Sequence, residues 1–213
     1  MNIAKLHYIS QGETPEAHLE NIQKACTFGA ELVQLRLKNI NEDTILKTAE
    51  KARDITSHYQ TRLIINDHYK IAKAVNADGV HLGKNDACPT LAREYLGKWF
   101  IIGGTANTIE DCENLISKNV DYIGLGPYKF TTTKTNLSPV LGLKGYRVIH
   151  DALETKTPII AIGGIVESDI TPLLQTGVYG IAMSGAITQD FNKISTFNKI
   201  LKASVIQEQR HTF

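Results

Sequence analysis

RLIINDHYKIAKAVNADGVHLGKND, residues 62–86, holds two short β-rich runs with a helix-sized stretch between them. The first run, around Leu63, Ile64 and Ile65, ends on Asn66 and Asp67; the second, around Val80, His81 and Leu82, leads to Asn85 and Asp86. A strand, a helix and a second strand in this space imply a parallel pair joined by a right-handed crossover. Asn and Asp are common turn residues, so each pair reads as loop punctuation. They also read as carboxylates at neighbouring strand ends that jointly hold a cation.

The unit recurs along the chain. Runs at 5–10, 32–38, 62–67, 79–83, 100–106, 122–127, 158–164 and 180–185 are strand-like. The stretches between them carry helical spacing, as in 42–59, where Ile45, Ala49, Ala52 and Ile55 recur on one face. The pattern gives eight strands, seven helices between them and a last helix after Gly185. Eight such units in 213 residues predict an α/β protein built as a single (β/α)8 TIM barrel. A doubly wound open sheet competes, but the count and even spacing favour closure. No linker or composition break divides the chain, so 1–206 is expected to be one catalytic domain, with a polar tail at 207–213. One long loop runs from Tyr128 to about Leu141, and long ordered loops are disproportionately functional.

Composition is that of an ordinary globular protein, with 42% hydrophobic and 21% charged residues. A formal charge of +1 removes the electrostatic case for nucleic acid or an anionic membrane as partner. Cys26, Cys88 and Cys112 are scattered, with no C-x-x-C spacing, and point to a reducing compartment. The first ten residues lack the apolar core of a signal peptide, and no apolar run approaches about 18 residues. A cytoplasmic location is expected; the sequence carries no signature of a particular oligomeric state.

Barrels place their chemistry at the C-terminal strand ends and the loops just after them. In VQLRLK (33–38), two-residue alternation puts Gln34, Arg36 and Lys38 on one face and Val33, Leu35 and Leu37 on the other. With the leucines facing the helices, the polar trio points inward as a cationic fork for a polyanion. An exposed polar face competes with that reading. Asp67 and Asp86, at adjacent strand ends, suit Mg²⁺, which takes one or two carboxylates and completes its shell with water and phosphate. His81, on an apolar strand, reads as a packed histidine rather than a ligand. GPYKFTTTKTN (126–136) gathers hydroxyls and lysines that can cradle a phosphate, or is an ordinary polar loop. AIGGI (161–165) and AMSGAI (182–187) put glycines at the last two strand ends, where barrels frequently bind phosphate. No nucleophile with a paired base stands out, so the lining favours stabilising a leaving group over covalent attack.

Taken in order, QLRLK (34–38), IND (65–67), DGVHLGKND (78–86), YIGLGP (122–127), TTTK (131–134) and AIGGI resemble the thiamine phosphate synthase family over nearly the whole chain. The resemblance implies a transferase that joins hydroxymethylpyrimidine diphosphate to a thiazole phosphate, giving thiamine phosphate and pyrophosphate. In that family pyrophosphate leaves first, and the thiazole nitrogen captures a pyrimidine carbocation. By the same resemblance Gln34, Leu35, Arg36, Leu37, Lys38, Asn66 and Lys134 bind the diphosphate substrate, with Arg36, Lys38 and Lys134 stabilising its departure. Asp67 and Asp86 hold Mg²⁺. Thr131, Thr132 and Thr133 contact the thiazole phosphate, joined by Gly164, Ser184 and Gly185, and Thr105 supplies a hydroxyl from the fifth strand.

Three departures stand out. The family's S-x-H-(T/S) after the fifth strand is Thr105, Ala106, Asn107, Thr108 here; the eighth strand ends in Ser184 and Gly185 instead of an apolar residue plus serine; and Tyr128, Lys129 and Phe130 form an unusual lead into TTTK. The rivals are a thiazole tautomerase on the same barrel, which calls for a base such as the missing histidine, a phosphosugar epimerase, and a catalytically silent phosphometabolite-binding barrel.

Overall fold

The computed structural model describes residues 3–130 and 138–210. Its strands are β1 (Leu6–Ile9), β2 (Leu32–Leu35), β3 (Arg62–Asn66), β4 (Gly79–Leu82), β5 (Ile101–Ala106), β6 (Tyr122–Leu125), β7 (Ile159–Ile162) and β8 (Gly180–Met183). Each pairs in parallel with the next, and β8 pairs with β1 to close the ring, with Leu6 opposite Ile181. The connecting helices are α1 (Pro15–Thr27), α2 (Glu42–His58), α3 (Tyr69–Ala74), α4 (Pro89–Leu96), α5 (Ile109–Ser117), α6 (Gly142–Ala152) and α7 (Ile170–Leu174). The (β/α)8 barrel expected from the repeat is therefore the fold.

The differences lie at element ends. The second strand stops at Leu35, short of the Lys38 boundary expected, because the next N–H, that of Arg36, donates to the Ser10 hydroxyl at 3.1 Å. In place of one last helix there are two, α8 (Gly185–Thr188) and α9 (Lys193–Arg210). The second runs past the 206 boundary, so 207–210 continue a helix, while 211–213 lie outside the described residues. Among the described residues no helix is long and apolar enough to cross a membrane.

Local chemistry sets the helix starts. Asn41 caps α2 by accepting the Thr44 N–H at 2.9 Å, and Thr108 and Asp111 form a reciprocal capping box on α5. Period-two alternation then sorts the strands' side chains. Val33, Leu35, Leu63, Ile65, Val80, Leu82, Ile123 and Leu125 pack outward against the helices in the main core. Leu32, Ile64, Ile101, Tyr122 and Ile160 fill the barrel interior toward the N-terminal strand ends. Tyr122 fits there because its β5 neighbour is Gly103, where a Cβ would lie 2.1 Å from the phenol ring. At the C-terminal end the inward positions turn polar, with Gln34, Asn66, His81 and Thr105.

Two staples close the opposite end. Asp78, just before β4, accepts from the Leu63 N–H at 2.8 Å and from Arg53 of α2 at 2.6 Å. Asp121, just before β6, accepts from the Ile102 N–H at 2.8 Å and from Arg93 of α4 at 2.6 Å. Each carboxylate thus ties the N-terminal end of its strand to the preceding strand and to a helix one unit back.

Candidate active site

A cavity of about 350 Å³ opens at the C-terminal strand ends. It gathers side chains from most of the barrel: Gln34, Arg36 and Lys38 after β2, Asn66 and Asp67 after β3, His81 and Asp86 around β4, and Thr105 and Asn107 at β5. Opposite them stand Gly163 and Gly164 after β7 and Ser184 and Gly185 after β8.

The charged wall is internally paired. Asp67 sits in the left-handed backbone region (φ 64°), a conformation Asp tolerates, and its carboxylate makes a short ion pair with the Lys38 ammonium. Asp86 accepts from the Gly83 N–H at 2.7 Å and shares a hydrogen bond with Asp67. Burial acts to raise the Asp67 pKa, but the hydrogen bond with Asp86 and the Lys38 charge outweigh it and hold the group below its ordinary value. For Asp86, burial and then the hydrogen bond with Asp67 both push upward. The two acids in contact are thus pushed apart, Asp67 below and Asp86 above the ordinary carboxylate value. Burial lowers the Arg36 pKa, and the nearby Asp67 charge pulls the other way.

That donor set fits a divalent cation. Two carboxylates held in contact are relieved by a cation, and Mg²⁺ would take one or two of them and leave its remaining positions to water and phosphate. Among the described residues no cluster of three or more His, Cys, Asp or Glu side chains forms, so the pair is not part of a closed protein cage.

The floor is a chain of side-chain hydrogen bonds. Gln34 bonds the Tyr122 phenol, which lies 2.9 Å from His81 Nδ1, and His81 Nε2 lies 2.9 Å from the Thr105 hydroxyl. Complete burial raises the Tyr122 pKa well beyond the ordinary phenol value. His81 is the packed histidine that its strand suggested, yet it reaches the cavity and holds Thr105. Its two-residue spacing from Gly79 on the inward face was the signal for that. Beside it the buried Asn66 Nδ2 has no hydrogen-bond partner among the described residues, an orphaned donor at the cavity wall.

Leu35 and Leu37, which the family motif places in the binding segment, have side chains that face the helices as their parity predicts. Both are buried in the outer core and neither lines the cavity, because the alternation that turns Gln34 and Arg36 inward turns them toward the helices. Only their backbone remains available to a ligand. Thr131, Thr132, Thr133 and Lys134 lie outside the described residues. Asn107 lines the cavity, with its side-chain amide bonded to the Gly126 carbonyl.

On the opposite wall Gly163 and Gly164 are both left-handed, with φ of 100° and 64°. A Cβ on Gly164 would lie 2.7 Å from the Phe130 carbonyl oxygen, so only glycine keeps this backbone at the cavity edge. The Ser184 hydroxyl donates to Gln11 Oε1 at 3.2 Å.

Comparison with known proteins points the same way. The family model described as thiamine monophosphate synthase matches residues 6–187. A thiamine-phosphate synthase of Flavobacterium psychrophilum is 47% identical over 201 residues, 93% of this chain and 98% of that protein. One from Flavobacterium johnsoniae is 46% identical over 95% of this chain and 98% of its own length. Among solved structures, a thiamine phosphate pyrophosphorylase from Pyrococcus furiosus superposes with a TM-score of 0.77 at 29% identity, covering 95% of this chain and 96% of that one.

Proposed function

This chain belongs to the thiamine monophosphate synthase family, and on that premise we propose that its cavity condenses hydroxymethylpyrimidine diphosphate with a thiazole phosphate. The enzyme is a transferase that joins the pyrimidinylmethyl group to the thiazole with release of pyrophosphate. The observation that carries the reading is the division of one cavity into a charged wall at β2–β4 and a glycine wall at β7–β8. Two phosphorylated substrates need two anion sites that face each other.

On this reading the diphosphate lies against Arg36 and Lys38, and the orphaned Asn66 amide donates to the pyrimidine substrate. The bond between the methylene carbon and the diphosphate oxygen breaks, and its electron pair leaves with pyrophosphate. The thiazole nitrogen then gives its lone pair to that carbon. Arg36 and Lys38 stabilise charge that grows on the leaving oxygen, so they act more strongly in the transition state than in the ground state. Lys134 shares that role by resemblance, and Thr131, Thr132 and Thr133 contact the thiazole phosphate. Asp67 and Asp86 would hold Mg²⁺, which when bound supplies further positive charge to the diphosphate oxygens. Gly164, Ser184 and Gly185 receive the thiazole phosphate, and Thr105, held by His81, offers its hydroxyl from the floor. The reading places the enzyme in the cytoplasm.

The tautomerase reading needs a general base where Asn107 stands, and a carboxamide cannot take that proton. The deciding experiment measures pyrophosphate release with both substrates, with Mg²⁺ and with excess chelator. Release that requires both substrates and the ion supports the reading. Isomerisation of the thiazole phosphate alone, without pyrophosphate, would move the protein to the isomerase class.

A further inference from the structure

Lys129 and Asp169 take no part in the chemistry above. The Asp169 carboxylate is nearly enclosed, with its side chain 9% exposed, and it is committed at both oxygens. Oδ1 accepts from Lys129 Nζ at 2.7 Å and from the Tyr128 hydroxyl at 3.4 Å; Oδ2 accepts from the Val166 N–H at 3.0 Å. Burying a carboxylate is costly unless it is paired, so these contacts act together.

The partners come from two segments. Tyr128 and Lys129 leave β6, and Val166 follows β7. Their backbones are also joined, Tyr128 N–H to the Ile162 carbonyl at 2.8 Å and Lys129 N–H to the Gly163 carbonyl at 2.9 Å. The left-handed Gly163 and Gly164 lie inside the ring these bonds close. One side of Gly164 is the cavity; the other is the Lys129 side chain and the Phe130 carbonyl, 2.9 and 2.7 Å from where a Cβ would stand. Half of the Lys129 side chain remains in solvent, and the barrel ladder closes without it. The ion pair therefore has a local consequence. It presses the 128–130 segment onto the glycine turn and fixes the angle at which that turn meets the cavity.

We propose that Lys129 and Asp169 are positioning residues, whose ion pair holds Gly163 and Gly164 in the geometry that receives the thiazole phosphate. This rests on the reading of the glycine wall as the thiazole phosphate site. It gives the unusual Tyr128-Lys129-Phe130 lead a role, because the lysine meets an acid 40 residues away.

The test uses Lys129→Met, Asp169→Asn, the double variant and Lys129→Arg. Steady-state kinetics are measured in both substrates, alongside titration of each protein with inorganic phosphate followed at the Gly163 and Gly164 amides by NMR. Each single variant should raise KM for the thiazole phosphate about 10-fold, the order expected when a bound group loses its fixed alignment. The phosphate dissociation constant should rise in parallel, with KM for the pyrimidine diphosphate and kcat within about two-fold of wild type. The double variant should be no worse than the singles, and Lys129→Arg should behave as wild type. Equal losses in both KM values and kcat, accompanied by a lower Tm, would make the pair merely structural and overturn the proposal. Tighter phosphate binding in Asp169→Asn would overturn it too, since a freed Lys129 would then be the ligand. If Asp169→Asn does not fold, Lys129→Met, changed on the solvent side, decides alone. Wild type that binds phosphate at these amides, loses it in the variants, yet releases no pyrophosphate would sink the synthase reading and keep the positioning role. No amide response to phosphate in a wild type that still releases pyrophosphate would overturn the positioning role and leave the synthase reading standing.

Discussion

The two walls of the cavity are built from different materials. At β2–β4 the wall is made of charged side chains, three of them tied together: Lys38 to Asp67, Asp67 to Asp86. At β7–β8 the described lining residues are uncharged, and backbone at Gly163, Gly164 and Gly185 comes forward instead. The difference follows what each wall has to do. Charge grows on a departing diphosphate, so strong cations there lower the barrier. The thiazole phosphate keeps its charge through the reaction, and a wall that only holds it gains from rigidity rather than from charge.

The comparison breaks most sharply at the charged wall. Excess chelator should reduce pyrophosphate release by at least about 1,000-fold if an ion held by Asp67 and Asp86 carries several kcal/mol of leaving-group stabilisation. Full turnover in chelator would remove the ion from the mechanism. Arg36→Ala and Lys38→Ala should each lose about 2–4 kcal/mol of transition-state stabilisation, roughly 30- to 1,000-fold in kcat/KM, with the fold retained. A variant that unfolds while its folded fraction stays fully active would make these cations structural.

Beneath both walls, the barrel interior sets an acid limit. His7 is enclosed, and burial lowers its pKa to about 3 from 6.5. Well above pH 6.5 it is neutral in folded and unfolded chains alike and adds no pH dependence. As pH falls below 6.5 only the unfolded chain takes up the proton, so stability drops continuously toward pH 3. At pH 5 this costs about 2 kcal/mol. Urea denaturation at pH 7 and pH 5 should show that loss, and His7→Asn should reduce the difference between the two, with His18, also lowered by burial, adding in the same direction.

The glycine wall should respond in binding instead of rate. Gly164→Ala forces a Cβ against the Phe130 carbonyl and strains a left-handed backbone, a cost of about 1–2 kcal/mol. KM for the thiazole phosphate should rise about 10-fold and kcat should change little. A fall in kcat with KM unchanged would mean that this wall, too, acts in the transition state. The smallest effect is expected between the walls: Asn107→His should leave condensation within about five-fold, since departure of the diphosphate does not draw on that residue.

Much of this was legible in the sequence, because both signals involved are periodic. Short β-rich runs recurring between helical stretches marked all eight strands, and two-residue alternation in VQLRLK assigned Gln34 and Arg36 inward. It overreached where the ladder gives way to loop chemistry. VQLRLK continues its alternation to Lys38, but the strand's pairing ends three residues earlier, at Leu35, where the Ser10 hydroxyl takes the next N–H. Leu35 and Leu37 were carried into the binding set by their motif, although their own parity places them with the helices. The Lys129–Asp169 pair had no local signature, since neither residue's neighbours hint that the other is near. The chain of Tyr122, His81 and Thr105 joins three strands, and only barrel closure brings those side chains into line.

The two staples at the N-terminal strand ends bear on how this barrel can be divided. Asp78 with Arg53 and Leu63 lies wholly within 53–78, and Asp121 with Arg93 and Ile102 within 93–121. They have the same parts in the same order, displaced by two strands. The repeating module here is therefore a pair of strands. A break at 83–88 leaves each module whole, whereas one at 97–100 separates Arg93 from its acid and leaves a part-buried charge on each fragment. Co-expressed halves split at 83–88 should therefore reassemble into a soluble barrel more readily than halves split at 97–100. Equal recovery from both would show that the staples are ornaments of the ring and not its joints.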